Sequence, residues 1–200
     1  AAVVVQGNEA GGHTGRRGTL SLAAQVLDIA GDVPVVVAGG VGNGRGLAAA
    51  LAMGAAGVVM GTRFKATSEF GGPRTPLLDS QRGQIVENDG DNTVWSEITD
   101  LALGLPWPRG IAGRVLTNRF TDEWLGRDDE LRAEVARQTQ PFGWTTEHNR
   151  TPETILNWAG ESAGLVDAVL PAGEVVRRTV EEAERLLRDL GRVLSPAGVA

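Results

Sequence analysis

Three valine-rich runs, each closing on a glycine motif, constrain the fold of this chain more than any other feature. Val3-Val4-Val5 leads into Gln6-Gly7-Asn8-Glu9-Ala10-Gly11-Gly12-His13-Thr14-Gly15. Val35-Val36-Val37-Ala38 leads into Gly39-Gly40-Val41, and Ala55-Ala56-Gly57-Val58-Val59-Met60 into Gly61-Thr62-Arg63-Phe64. The spacing predicts buried strands over 2–5, 35–38 and 56–60. Between them lie two segments of helical period. One is 20–30, with Leu22, Val26 and Ile29 on one face and Gly31 as its stop; the other is 45–53, with Leu47 and Leu51 on one face and Gly54 behind it. Such β-α-β-α-β alternation implies parallel pairing with right-handed crossovers, so the three glycine ends meet on one rim. Glycines there let main-chain N–H groups approach a ligand and form a phosphate cradle.

Past residue 65 the pattern changes. Residues 65–83 read as a loop after a short helical turn near Thr67, and Gln84–Val86 and Thr93–Trp95 as short strands around the turn-rich 88–92. Pro106 to Gly110 reads as an irregular link. Helices are expected over Asp128–Gln138, Pro152–Trp158 and Glu174–Leu190. The last should bury a stripe of Val176, Val180, Ala183, Leu187 and Leu190, with Glu181–Arg185 and Glu184–Arg188 pairs outside. The expected organisation is a partial barrel over 1–66, an inserted or second small domain over 67–150, and C-terminal helices over 151–200 that pack back on the barrel.

A net charge of −6 gives no basic face for nucleic acid. No apolar run approaches the roughly 18 residues of a membrane span, and the absence of cysteine excludes disulfides and thiolate chemistry. A cytoplasmic location is the expectation. A (β/α)₈ barrel takes roughly 250 residues, whereas this chain has 200 and three clear barrel-type strands. The expected fold class is α/β, and the family resemblance that the glycine motifs carry implies the C-terminal part of a TIM-type barrel, retaining its last three strands, with a small α+β or helical appendage.

The three glycine motifs, in their order, resemble those of the nitronate monooxygenase family, formerly 2-nitropropane dioxygenases. The likeness continues in Gly113 to Trp124 and in Ala159 to Val166. Two departures stand out: Lys65 where the family usually has leucine, and the glycine-rich Phe70-Gly71-Gly72-Pro73. The resemblance implies a TIM-type barrel, non-covalent FMN, and oxidation of alkyl nitronates or nitroalkanes by O2 to a carbonyl compound and nitrite. Carried over by motif, it places Gln6, Gly11, Gly12, Gly39, Gly40, Val59, Met60, Gly61 and Thr62 at FMN and makes His13 the catalytic base.

On the residues themselves, an imidazole of ordinary pKa near about 6.5 suits removal of a nitroalkane α-proton. A substrate arriving as nitronate needs no base, and His13 would then orient it. Thr62 can give a hydroxyl to a phosphate. Arg63 could pair with that phosphate or with a carboxylate. Glu9 reads as a loop cap or a partner of Arg16 or Arg17. His148 reads as solvated loop, and the five tryptophans as core or lid packing. Two other readings stay open: an FMN-dependent enoyl-acyl-carrier-protein reductase, and an inactive phosphate- or flavin-binding fragment.

Overall fold

The computed structural model describes residues 1–71, 76–137, 151 and 153–194. Trp144, His148, Pro152 and Gln138 lie outside them. The first half is α/β. Strands β1 (Val3–Gln6), β3 (Val35–Ala38) and β4 (Gly57–Val59) form a parallel sheet in the order β1-β3-β4, joined through helices α1 (Thr19–Ile29) and α2 (Gly44–Ala52). The register runs Val5↔Val37 and Val37↔Val58. The sheet is open and no closed barrel forms among the described residues.

Packing corrects several expected faces. In β1 only Val5 is buried, while Val3 and Val4 are exposed, because β1 is an edge strand. In α1, Leu22 and Val26 pack on the core with buried Ala23, but Ile29 faces outward. In α2 the inward residues are Gly44, Ala48 and Ala50, and Leu51 is exposed. Asn43 caps α2, its side-chain oxygen accepting from the backbone N–H of Arg45 and Gly46.

A second sheet, absent from the expected pattern, is antiparallel in the order β2-β6-β5, built from Gly12–Thr14, Ala112–Leu116 and Thr93–Ser96. Its strand β2 belongs to the first glycine motif, so this pairing joins residues 1–66 to residues 93–116. The expected strand at Thr93–Trp95 is present, whereas Gln84–Val86 is helical. It closes α4 (Pro76–Val86), which follows the short α3 (Gly61–Lys65), so 76–83 is helix rather than loop, while 66–71 is turn as expected. The inward face of α4 carries Arg82 and Ile85, a helical spacing. Next come α5 (Ile98–Leu103), α6 (Arg119–Trp124) and α7 (Asp128–Arg137).

Residues 153–158 form no helix. Their backbone groups are committed sideways: Arg119 N–H to Glu153 O, Asn118 Nδ2 to Ile155 O, and Leu116 N–H to Asn157 O. Helix α8 (Ala172–Leu194) packs on α2. Its buried face is Val175, Thr179 and Ala183; of the expected stripe Ala183 is buried and Leu187 half-buried, while Val176, Val180 and Leu190 are exposed. Small residues are selected because the helices nearly touch. A Cβ on Gly44 would lie 2.5 Å from the Thr179 carbonyl oxygen. Arg188 pairs with Glu184 as expected, while Glu181 pairs with Arg177. No described helix is long and apolar enough to cross a membrane.

Candidate active site

The carboxyl ends of β1, β3 and β4 open on a cavity of about 440 Å³. Gln6, Gly11 and Gly12 line it from the first motif, Gly39 and Gly40 from the second, and Val59, Gly61 and Thr62 from the third. Trp158, Ser162, Lys65 and Phe70 complete the wall. Met60 is the exception among the residues expected there: its side chain packs with Val41 and Val175.

The glycines do different work. Gly39 and Gly40 have φ of 101° and 71°, a left-handed conformation open to glycine. Gly11 is required for close approach, since a Cβ there would lie 2.6 Å from the Ala159 backbone. Gly61 and Gly12 meet nothing within 4 Å, so bare main chain faces the cavity there. Thr62 is buried, and its Oγ1 accepts from Gly160 N–H at 2.9 Å, leaving the hydroxyl proton to give elsewhere.

Glu9 acts as a cap. Its Oε1 accepts the Thr19 N–H at 2.8 Å, supplying the start of α1 with the side-chain acceptor that Gly18 lacks. Arg63 turns away from the cavity. It is buried and donates to the carbonyls of Ala66 and Ala168, and burial is the main cause of its lowered pKa.

His13 sits in β2 opposite Gly113. The space a Gly113 side chain would fill is taken by the indole of Trp158, whose ring lies 5.1 Å from the imidazole. Trp107 stacks on the imidazole at 4.1 Å and an interplanar angle of 17°. It is carried back by turns in which Gly104 and Gly110 have positive φ. His13 does not itself line the cavity, but Trp158 borders both.

The unforeseen member is Asp100. Its Oδ1 is 2.6 Å from His13 Nε2. Register brings it there: Ser96 pairs with Gly113, Gly113 with His13, and α5 begins two residues after Ser96. Burial pushes the Asp100 carboxyl above the usual carboxylate range, the hydrogen bond from His13 pulling only partly back. Among the described residues the buried Oδ2 has no hydrogen-bond partner, which disfavours the charge further. The segment 93–103 holds no motif that marks Asp100; its signal is an acid on the inward face of a short helix.

Lys65 also lines the cavity. Its Nζ donates to Trp158 O at 3.2 Å, and burial alone lowers its pKa to about 8. Among the described residues no cluster of metal-ligating side chains occurs.

The sequence model of the nitronate monooxygenase family matches residues 1–182. The chain is 37% identical over 198 residues to nitronate monooxygenase npaC of Metarhizium robertsii, covering 92% of this chain and 52% of that protein. It is 66% identical over 105 residues to (3aS,4S,5R,7aS)-5-hydroxy-7a-methyl-1-oxo-octahydro-1H-indene-4-carboxyl-CoA dehydrogenase of Rhodococcus jostii, covering 52% of this chain and 27% of that protein. Among solved structures it is similar to FabK from Thermotoga maritima, with a TM-score of 0.77 and 28% identity over 96% of this chain and 57% of that one. The chain spans about half the length of curated nitronate monooxygenases that it matches.

Proposed function

The chain belongs to the nitronate monooxygenase family, and from that premise we propose that it supplies the FMN cradle and the imidazole of an enzyme oxidising alkyl nitronates with O2 to a carbonyl compound and nitrite. The observation that carries this reading is the convergence of three glycine strand ends on one cavity whose wall at Trp158 adjoins His13. The cavity volume falls in the range of cofactor sites, roughly 300–1,000 Å³. The open main chain at Gly61 and Gly12 suits the close approach of a phosphate and a flat ring, and Gln6 offers an amide to a ring edge. In this reading Thr62 gives its hydroxyl to the phosphate, and Gly39, Gly40, Gly11 and Val59 bound the cofactor. Met60 supports the cradle from behind.

Bound FMN would supply the electron acceptor and the reaction with O2. The protein's own work is protonic. With Asp100 ionised, His13 Nε2–H donates to its carboxylate, and Nδ1, which has no hydrogen bond among the described residues, keeps a free lone pair. Nδ1 is the atom that takes the α-proton of a neutral nitroalkane; the C–H electron pair becomes C=N, and a nitro oxygen takes the negative charge. Trp107 and Trp158 shield the imidazole, so the imidazolium formed is stabilised chiefly by Asp100. A substrate presented as nitronate bypasses this step.

A second reading follows from the 66% identity over half the chain to a carboxyl-CoA dehydrogenase: the same base would remove an acidic proton beside a thioester carbonyl. The test is turnover by the purified, FMN-loaded protein. Nitrite release and O2 consumption with propane-2-nitronate support the first reading. Oxidation of a CoA thioester without nitrite replaces it, as does NADH-dependent reduction of an enoyl thioester.

A further inference from the structure

Lys65 is the only charged side chain in the cavity wall among the described residues. No carboxylate faces it: the remaining wall is glycine, alanine, valine, Gln6, Thr62, Ser162, Phe70 and Trp158. Its amine is anchored by one hydrogen bond, to Trp158 O, and the Phe70 ring lies 6.0 Å away. An ammonium has three donors, so two remain for a ligand. Lys65 is half-buried, and a partly desolvated cation without a counter-ion gains when an anion arrives to pair with it. The anchor also fixes where the charge sits. Lys65 holds the backbone of Trp158, the residue whose indole lies beside His13. Lys65 is, moreover, this chain's departure from the residue expected after the third glycine motif.

We propose that Lys65 is the oxyanion receptor of this cavity: its ammonium binds the planar, negatively charged oxygens of the substrate, leaving the substrate carbon toward His13. The proposal rests on the nitronate reading for the identity of that substrate. The apolar share of the wall, from Phe70, Val59 and Trp158, takes the alkyl part.

Isobutyrate, whose planar carboxylate and heavy-atom connectivity match those of propane-2-nitronate, is the probe, and isobutyramide its neutral control. Binding to the FMN-loaded protein is followed by tryptophan fluorescence and by flavin absorbance. Isobutyrate affinity should fall as pH rises through about 8, where the amine loses its charge. Lys65→Met should weaken isobutyrate by 10-fold or more, the scale of a charge-assisted hydrogen bond, and remove that pH limb. Lys65→Arg should restore most of the affinity and carry the limb upward. Isobutyramide and FMN itself should bind all three proteins within about threefold, a margin well below the charge effect.

Unchanged isobutyrate affinity in Lys65→Met overturns the proposal. Loss of FMN affinity with isobutyrate unaffected also overturns it, assigning the charge to the cofactor. The two readings fail separately. Nitronate turnover with an unaltered KM in Lys65→Met removes the receptor and leaves the function. Lysine-dependent isobutyrate binding in a protein that releases no nitrite keeps the receptor and removes the nitronate.

Discussion

Asp100→Asn isolates the protonic role of the site. The bond it alters is 2.6 Å long, part-buried with Asp100 at its buried end, and made to the nitrogen opposite the proposed basic one. An asparagine can meet Nε2 in two ways. Turned to accept, it leaves an NH2 where Oδ2 now lies without a partner, and an orphaned buried donor costs about 1–3 kcal/mol. Turned to donate, it leaves only an unpaired carbonyl, but Nε2 must then be the lone-pair nitrogen and Nδ1 carries the proton. The favoured amide orientation thus removes the base. Either orientation also removes the carboxylate that stabilises the imidazolium. A positioned general base contributes about 10²–10⁴-fold, or about 2.7–5.4 kcal/mol at 1.36 kcal/mol per decade. The kcat/KM for neutral 2-nitropropane should therefore fall at least about 100-fold, while that for propane-2-nitronate changes less than about fivefold, since no proton is removed.

The sign of the pH effect is set by the raised Asp100 pKa. Nitroalkane activity should rise with pH through a value above the usual carboxylate range, and this limb should vanish in the variant. Folding stability runs the other way. A raised carboxyl favours the folded state below its ordinary pKa and loses that contribution as pH climbs through the folded value. Urea titrations of the two proteins should therefore diverge across that window and run parallel above it. Equal losses on nitroalkane and nitronate would refute the argument, reducing Asp100 to a structural group.

Other substitutions separate cradle from scaffold. Gly61→Ala, at a position with open space and no positive φ, should leave thermal unfolding within about 1 °C and weaken FMN at least tenfold in a fluorescence-quenching titration, since a Cβ there enters the cavity. Gly40→Ala meets both a φ of 71° and the Glu9 carboxylate, so it should destabilise the fold by about 1–3 kcal/mol in urea titration. Glu9→Ala, which strips the acceptor from Thr19 N–H, should cost about 1 kcal/mol by the same measurement. Gly113→Ala pushes a methyl into the Trp158 indole, and should alter tryptophan fluorescence and the His13 imidazole NMR resonances together.

What the sequence makes legible is local. The valine runs specify β1, β3 and β4, and the glycines after them gather at one cavity because a parallel sheet places all its carboxyl ends together. The face of a helix is less legible when its partner is close. The largest apolar side chains of α8 form a clear stripe, yet Val176 and Val180 are exposed and Thr179 is buried. Contact with Gly44 leaves room only for small groups on the buried side, and periodicity carries no information about that distance. Helix α4 is hidden for a related reason. Its inward face is buried by distant chain: Arg82 donates to the carbonyls of Ser68 and Phe70, Ile85 packs with Leu116, Ala159 and Ala163, and Asn157 bonds Gln84 from 73 residues away.

The His13 site shows most sharply where reading along the chain ends. The first glycine motif does two jobs in consecutive residues: Gly11 and Gly12 face the cavity, while Gly12 to Thr14 already form a strand of the other sheet. That strand finds its partner at Ala112–Arg114, so the orientation of the imidazole depends on β6 and, through it, on β5. Asp100 lies 87 residues from His13 and reaches it through two register steps and one turn of helix, none of which leaves a mark near His13. Gly113 does carry a signal in retrospect: a glycine inside a strand marks a close approach, and here the approaching group is the Trp158 ring. The cofactor cradle is thus written in adjacent motifs, because it is made of backbone at strand ends. The protonic machinery is written in pairwise contacts between distant segments, because it is made of side chains whose positions depend on the second sheet.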